Sequence, residues 1–462
     1  MTSLPPAVSV VIPTHNRREL LGKLLDALAG QTCPPERMEV VVVADGCHDG
    51  TAEMLANYQA PFAMKVVEQP GSGPSTARNA GVRAATGELL VFLDDDVLPG
   101  SDFLQAHLRA HQRIPGGVVL GPYPPVPYAS SNLFRLAVRR WWLQHFDELV
   151  RPGHRMTYRD VLLGNLSLTT SLWHSVDGLD PQFEKSREDF ELGVRLLKSG
   201  APFQVAADAM ALHFEHETMT LRGAMARAYE EGRSDVRLGR KHPELRPTLE
   251  VVRRRNHARR TGRLAYALIF GLGGTLDGIM RTTARLMAWC DRYSLRNLHG
   301  LLHDALRGYW YVRGAANELG SARAWSSFAD LSKFQDPEPV TIDIALGLPA
   351  AEQDLDAARP SAARLIYGRT EIGLLPYEPA AEPWRGSHLR PALSERLAAA
   401  YLKAMARGGR VPIAPSSQQT ALAARFNALA KFFGPPAPGY MWREPDEVWT
   451  ASRVPSGYRE TR

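Results

Sequence analysis

An α/β fold built on a mostly parallel sheet is what the sequence predicts, and three observations predict it. Apolar runs of strand length alternate with stretches of helical period, which is the pattern of βαβ units. Each run stops on a short polar turn. One of them, ELLVFLDDDVLP over 88–99, stops on three consecutive carboxylates, Asp94, Asp95 and Asp96. A strand of this kind places its carboxyl end at the ligand crevice of an open α/β sheet. Three adjacent acids repel one another unless a cation compensates them, and oxygen ligands suit a hard ion such as Mg²⁺ or Mn²⁺. A solvated acidic turn is the plainer reading of the same residues.

In chain order, VSVVIP from Val8 forms the first strand. The stretch THNRRELLGKLLDALAG then forms a helix with Leu20, Leu24, Leu25 and Leu28 on one side. EVVVV from Glu39 is a second buried strand ending at Ala44-Asp45-Gly46, and Asp49-Gly50-Thr51 turns the chain into another helix, with Asp49 as a turn or cap residue. Met64 to Glu68 is a third strand. After it come the loop QPGSGP and a helix for which Ser75 is a candidate cap. The strand with the acidic end follows. Further on, GPYPPVPY reads as a proline-rich surface loop. LFRLAVRRWWLQHF is a helix whose Trp141 and Trp142 either stack on an acceptor or serve packing. Leu166 and Leu168 alternate in a short strand, and EDFELGVRLLKSG is a helix with Glu188 and Asp189 in its first turn, where acids also compensate the dipole. His213 ends the strand-like run FQVAADAMAL, with His216 three residues on, and RAYEEGRSDVRLGRKHPEL closes the domain as a helix.

The chain has 462 residues, 44% hydrophobic and 23% charged, with net charge +6, which fits an ordinary globular protein of two or three domains. Three cysteines, widely spaced, exclude a disulfide framework and a zinc cluster and fit a reducing compartment. The start MTSLPPAVSVVIP lacks a positive region ahead of its apolar residues, so no signal peptide is expected. The stretch from Leu264 to Met280 is broken by glycines and Asp277 and is too short to span a bilayer. A cytoplasmic protein is expected, resting where membrane contact occurs on the inner membrane surface.

VSVVIPTHNR, VVVADGCHDGT, GPSTARNAG and FLDDD stand in this order at strand-to-helix junctions. The set resembles the inverting glycosyltransferases of family 2, whose catalytic domain has the GT-A fold, over about the first 240 residues. The resemblance implies transfer of a sugar from a nucleoside-diphosphate sugar, a UDP-sugar in the first place, to a hydroxyl acceptor. It implies that Pro13, Thr14, Asn16, Asp45, Arg78, Asn79, Asp94 and Asp95 lie around the donor and that Asp96 and His213 bind a divalent cation, Mn²⁺ or Mg²⁺. Glu188 and Asn165 would then be on the acceptor side, with Asp189 as the catalytic base. On a strand, Asp94 and Asp96 would converge while Asp95 turns away. Arg78 would either orient Asp45 or touch the ligand, and Arg195 would occupy a family-like position or form an ion pair. Many family members carry an acidic pair where this chain has Ala44 and Asp45. An ordinary carboxyl pKa of about 4 would leave Asp189 ionised at neutral pH. The alternatives are a nucleotidyltransferase of the same fold, or a non-catalytic protein binding nucleotide sugars or, through Arg253 to Arg263, nucleic acid.

The expected organisation is a GT-A domain over 1–245, a basic and amphipathic helical region over 246–325 and a small α+β appendage over 326–462. The helical region is open to peripheral membrane contact or to pairing into a homodimer. In the appendage, PVTIDIAL and RLIYGRTEIGLLPY read as strands and LSERLAAAYLKAMARG as a helix, ahead of a tail rich in proline and aromatics.

Overall fold

The computed structural model describes residues 7–126, 132–214, 219–258 and 260–407. They divide into two compact units, one formed by 7–149 and 158–333 and one by 150–157 with the chain from 334 onward.

In the first unit the elements run β1 (Val8–Thr14), α1 (Arg18–Ala29), β2 (Met38–Asp45), α2 (Thr51–Asn57), β3 (Ala63–Gln69), α3 (Pro74–Ala84) and β4 (Leu89–Leu93). Then come β5 (Val97–Pro99), α4 (Phe103–Arg113), β6 (Val118–Leu120), α5 (Leu133–Leu149), β7 (Asn165–Thr169), α6 (Thr170–Ser175), α7 (Glu188–Lys198), β8 (Phe203–Val205) and β9 (Ala211–His213). Seven strands form one sheet in the order β3-β2-β1-β4-β7-β6-β8, with only β7 running against the rest. This is the mostly parallel α/β sheet the alternation predicts. The strands β1, β2 and β4 are buried along nearly their whole length, which is why they read as largely apolar runs. In α1 the inward residues are Leu21, Leu24, Leu25 and Leu28, so Leu21 takes the place expected for Leu20.

One buried charge ties the base of this sheet together. Glu39, on β2, accepts hydrogen bonds from Ser9 Oγ at 2.5 Å and from the Thr86 backbone N–H, and pairs with Lys65 Nζ at 2.8 Å. Burial opposes its ionisation, but these partners hold its pKa below the ordinary value. Truncating one member of such a set strands the others, so Glu39→Ala is expected to destabilise the protein by about 3 kcal/mol, measured by chemical denaturation.

Four helices complete the unit: α8 (Leu221–Lys241), α9 (Glu250–His257), α10 (Arg260–Arg292) and α11 (Arg296–Leu319), with a short α12 (Ala322–Phe328). Helices α8 and α11 approach closely at Gly232 and Gly314, where a Cβ would collide with the carbonyls of Tyr311 and Tyr229. Helix α10 is kinked at Leu272. Among the described residues no helix is long and apolar enough to cross a membrane.

The second unit is a three-stranded sheet, β10 (Val340–Asp343), β11 (Ala363–Tyr367) and β12 (Thr370–Leu375), packed with α13 (Leu348–Ala358), α14 (Gly386–Glu395) and α15 (Ala398–Arg407) around a core that includes Leu365, Leu389 and Trp384. The strands fall where alternation placed them. The expected helix is broken at Arg396–Leu397 into α14 and α15. The expected tail lies outside the described residues.

Candidate active site

The acidic triplet is a turn, not the end of a strand: β4 stops at Leu93 and the next three residues bend. Strand alternation therefore does not sort the acids, and the expected pairing of Asp94 with Asp96 is corrected. Asp94 turns to Arg78, whose Nη2 lies 2.6 Å from Oδ1. Asp95 and Asp96 share Arg17 instead, with its Nη1 at 2.8 and 2.6 Å. Thr14, the last residue of β1, donates its hydroxyl to Asp95 at 2.8 Å. Asp95 is thus held inward and is part of the cluster. Burial pushes its carboxyl up to about 6 against the pull of Arg17. At Asp96 burial likewise opposes charge, but His213 and Arg17 outweigh it and hold the carboxyl well below the usual range.

His213 is brought to Asp96 by backbone pairing. β5 and β9 form a two-stranded antiparallel ribbon in which Val97 faces His213. The Phe214 N–H donates to the Asp96 carbonyl at 2.9 Å. Nε2 of His213 then lies 3.6 Å from the Asp96 carboxylate. Trp142 and Tyr123 pack on the imidazole with ring centroids at 4.7 and 5.3 Å. Trp142 is buried against this histidine, whereas Trp141 is 53% exposed. The segment 121–126 that carries Tyr123 is buried throughout, which corrects its reading as a surface loop. His216 lies outside the described residues.

Arg78 links the acids to the first turn of α7. Its guanidinium is buried and reaches Glu188 Oε1 at 3.2 Å as well as Asp94. It bonds to neither oxygen of Asp45, so the alternative in which it orients that acid is set aside. Beside Glu188, Asp189 is half-buried, and desolvation, reinforced by Glu188, pushes its carboxyl up to about 7. The expectation of an ordinary value near 4 is corrected accordingly. Arg187 precedes this pair in a left-handed conformation (φ 68°). Its side chain turns to Asp235 on α8, 3.0 Å away, anchoring the start of α7. Further along the same helix, Arg195 pairs with Glu191 at 2.6 Å.

Several expected site residues bond to the scaffold. Asn165 is fully buried and bonds His107 and the Ala209 carbonyl, each at 2.8 Å. Both ends of the Asn79 amide are engaged with the backbone of Leu179. Asp45 accepts from Gln69, from the Ser72 N–H at 2.6 Å and from the Gly73 N–H at 2.8 Å, which fixes the loop before α3. Gly73 has φ 86° and a Cβ there would meet the Glu184 carbonyl, so that loop admits little but glycine. The N-terminus of α3 is formed by Gly73 and Pro74, and Ser75 donates to the Phe183 carbonyl rather than capping. Asn16, at φ 54°, accepts from the His48 N–H, and Asp49 takes its turn role with Thr51. Pro13 is the penultimate residue of β1, half-buried beside Thr14.

Arg17 is the residue that sequence reasoning missed. The repulsion within the triplet did demand a cation, and one sits three residues past the end of β1, but a single arginine in a polar turn carries no pattern of its own.

Residues 9–158 match the sequence profile described as Glycosyl transferase family 2. Over that stretch the chain is similar to glycosyltransferase family 2, in keeping with the order of its motifs. It is 36% identical over 278 residues to a validoxylamine A glucosyltransferase of Streptomyces hygroscopicus subsp. limoneus, over 54% of this chain and 59% of that protein. It is 28% identical over 330 residues to the pre-mycofactocin glycosyltransferase of Mycobacterium tuberculosis, over 68% of this chain and 64% of the relative. These matches thus span about three fifths of the relatives' length. A solved mannosyltransferase from Pyrobaculum calidifontis, in complex with GDP-Man and Mn²⁺, aligns at 19% identity and TM-score 0.43 over 69% of this chain and 88% of its own, too distant to argue from.

Proposed function

We propose that this protein transfers a sugar from a nucleoside diphosphate to a hydroxyl acceptor by a single displacement that inverts the anomeric carbon. The observation that carries the reading is the double grip of Arg78: one buried guanidinium joins Asp94, in the triplet, to Glu188, the neighbour of Asp189. One guanidinium thereby links a donor-side acid to the neighbour of a candidate base. The family match and the relatives' names, both glycosyltransferases, agree with this reaction class.

A divalent cation fits the donor set. Asp96 offers carboxylate oxygens and His213 an imidazole nitrogen at 3.6 Å, a combination suited to Mn²⁺ or Mg²⁺. Among the described residues no group of three or more such side chains converges, so substrate phosphate and water oxygens would complete the shell. Held by Asp96 and His213, the ion would act as a Lewis acid toward the leaving diphosphate.

The chain's own residues do the rest. Asp189 accepts the acceptor's hydroxyl proton while that oxygen bonds to the anomeric carbon and the bond to the diphosphate breaks with its electron pair. A carboxyl near 7 is a stronger base than an ordinary one and is still half ionised at neutral pH. Arg78 holds Glu188 in place beside it, and Arg17 steadies Asp95 and Asp96 against mutual repulsion. Nucleic-acid binding is not favoured, because the basic run is partly engaged within the unit: Arg254 pairs with Glu250 and Arg255 donates to Ser326.

The test is a thermal-shift screen of UDP-, GDP- and dTDP-sugars with and without Mn²⁺. One nucleotide class is expected to raise Tm by several degrees, and more strongly with the cation, since a ligand that binds only the folded state stabilises it. No shift with any sugar nucleotide would overturn the reading.

A further inference from the structure

The second half of α10, after its kink, sorts its side chains into three rows, and only one of them is accounted for by packing. At about 100° per residue, Met280, Ala284 and Met287 form the row that packs with Met225, Leu306 and Trp310. A second row, Ile279, Leu286 and Trp289, followed by Tyr293, faces outward at 54, 43, 48 and 56% exposure. Leu264 and Leu268 are likewise exposed before the kink. The third row is Arg281, Arg285 and Arg292, all exposed, along one flank of the apolar stripe.

The charges are segregated. Both acids of this half-helix are turned to protein partners: Asp277 accepts from the Tyr309 hydroxyl at 2.6 Å and pairs with Arg313, and Asp291 accepts from the Leu133 N–H at 2.6 Å. Among the described residues none of the three arginines forms an ion pair with an acid. What faces outward is therefore apolar and purely cationic, with an indole and a phenol among the leucines.

We propose that this face docks on an anionic lipid surface, its apolar row in the headgroup boundary and its arginines on the phosphates. Interfacial helices combine these ingredients, with aromatic rings at headgroup depth and long cationic side chains reaching lipid charge. A second copy fits less well. A two-fold interface sets a patch against itself, and this patch would oppose arginines to arginines with no acid to meet them. The inference is independent of the reaction assigned to the acids.

Co-sedimentation of the full chain with vesicles tests it, using phosphatidylcholine alone and phosphatidylcholine with phosphatidylglycerol, at low and high salt. Binding is expected to the anionic vesicles only and to weaken with salt. Exchanging all three arginines for glutamine is expected to weaken it roughly 100-fold, at about 1 kcal/mol each. The combined variant Ile279→Ser, Leu286→Ser, Trp289→Ser is expected to abolish it, with Tm nearly unchanged because these side chains are exposed. Absence of wild-type binding to anionic vesicles, or equal binding by either variant, would overturn the proposal. So would a dimer, seen by light scattering, that the serine variant dissociates without any vesicle binding.

Discussion

Replacing Asp189 with asparagine is expected to lower the transfer rate by about 10²- to 10⁴-fold, the range usual for loss of a positioned base, with donor KM nearly unchanged. The side chain keeps its shape and loses its basicity. In the wild type, kcat is expected to rise with pH through a limb centred near 7, because the carboxyl must shed its proton first. The asparagine variant should lack that limb in whatever activity remains. Stability supplies a second readout with a definite sign. The folded protein keeps a proton on Asp189 between about pH 4 and 7 that the unfolded chain has released, so this group's contribution is lost as pH rises through that window, by up to about 1.4 kcal/mol per unit. The variant should therefore have the higher Tm at pH 8, with the advantage gone below pH 4. Thermal unfolding across that range, beside a transfer assay, measures both. A pH-independent difference in Tm, or undiminished turnover, would remove Asp189 from the mechanism.

The second large effect is expected at Arg78. Its Nη1 and Nη2 atoms serve Glu188 and Asp94, and burial, which opposes its charge, is outweighed by those acids and Asp189. Arg78→Met would leave three neighbouring carboxylates without their shared counter-charge. A loss of about 3 kcal/mol in stability is expected by denaturant titration, since one partner of a buried set is removed and the others are not. The limb assigned to Asp189 should also move to higher pH, because a positive charge that favours its ionised form is gone. Arg78→Lys should restore part of the stability but little of the activity, as an ammonium cannot span two carboxylates in the fork geometry of a guanidinium. A pH profile unmoved in the methionine variant would show that Arg78 does not act on the base.

The parts legible in the sequence are those where one physical signal dominates. Strands β1, β2 and β4 are buried, so VSVVIP, EVVVV and ELLVFL were largely apolar, and their ends located Thr14, Asp45 and the triplet. The pairing of Glu188 and Asp189 in the first turn of α7 followed from helical period together with the family's motif order. What the sequence hid depends on tertiary packing. The segment 121–126 is rich in proline and glycine, which signals irregular backbone but not exposure, and here it is buried beside His213. Asn165 was placed by motif position, which gave no sign of its burial against His107 and Ala209. The bend after Leu93 redirected the three acids because a strand's alternation stops where its ladder stops. The value at Asp189 was out of reach, since burial is a property of the folded chain.

The central claim is that donor grip and proton removal belong to different carboxylates, linked through Arg78. Calorimetric titration of the nucleoside diphosphate that the thermal screen selects, with Mn²⁺, into the wild type, Asp96→Asn and Asp189→Asn tests it most directly. The account predicts that the Asp96 variant loses at least tenfold in affinity while the Asp189 variant binds as the wild type does. Undiminished binding by the Asp96 variant, or an equal loss in both, would contradict it.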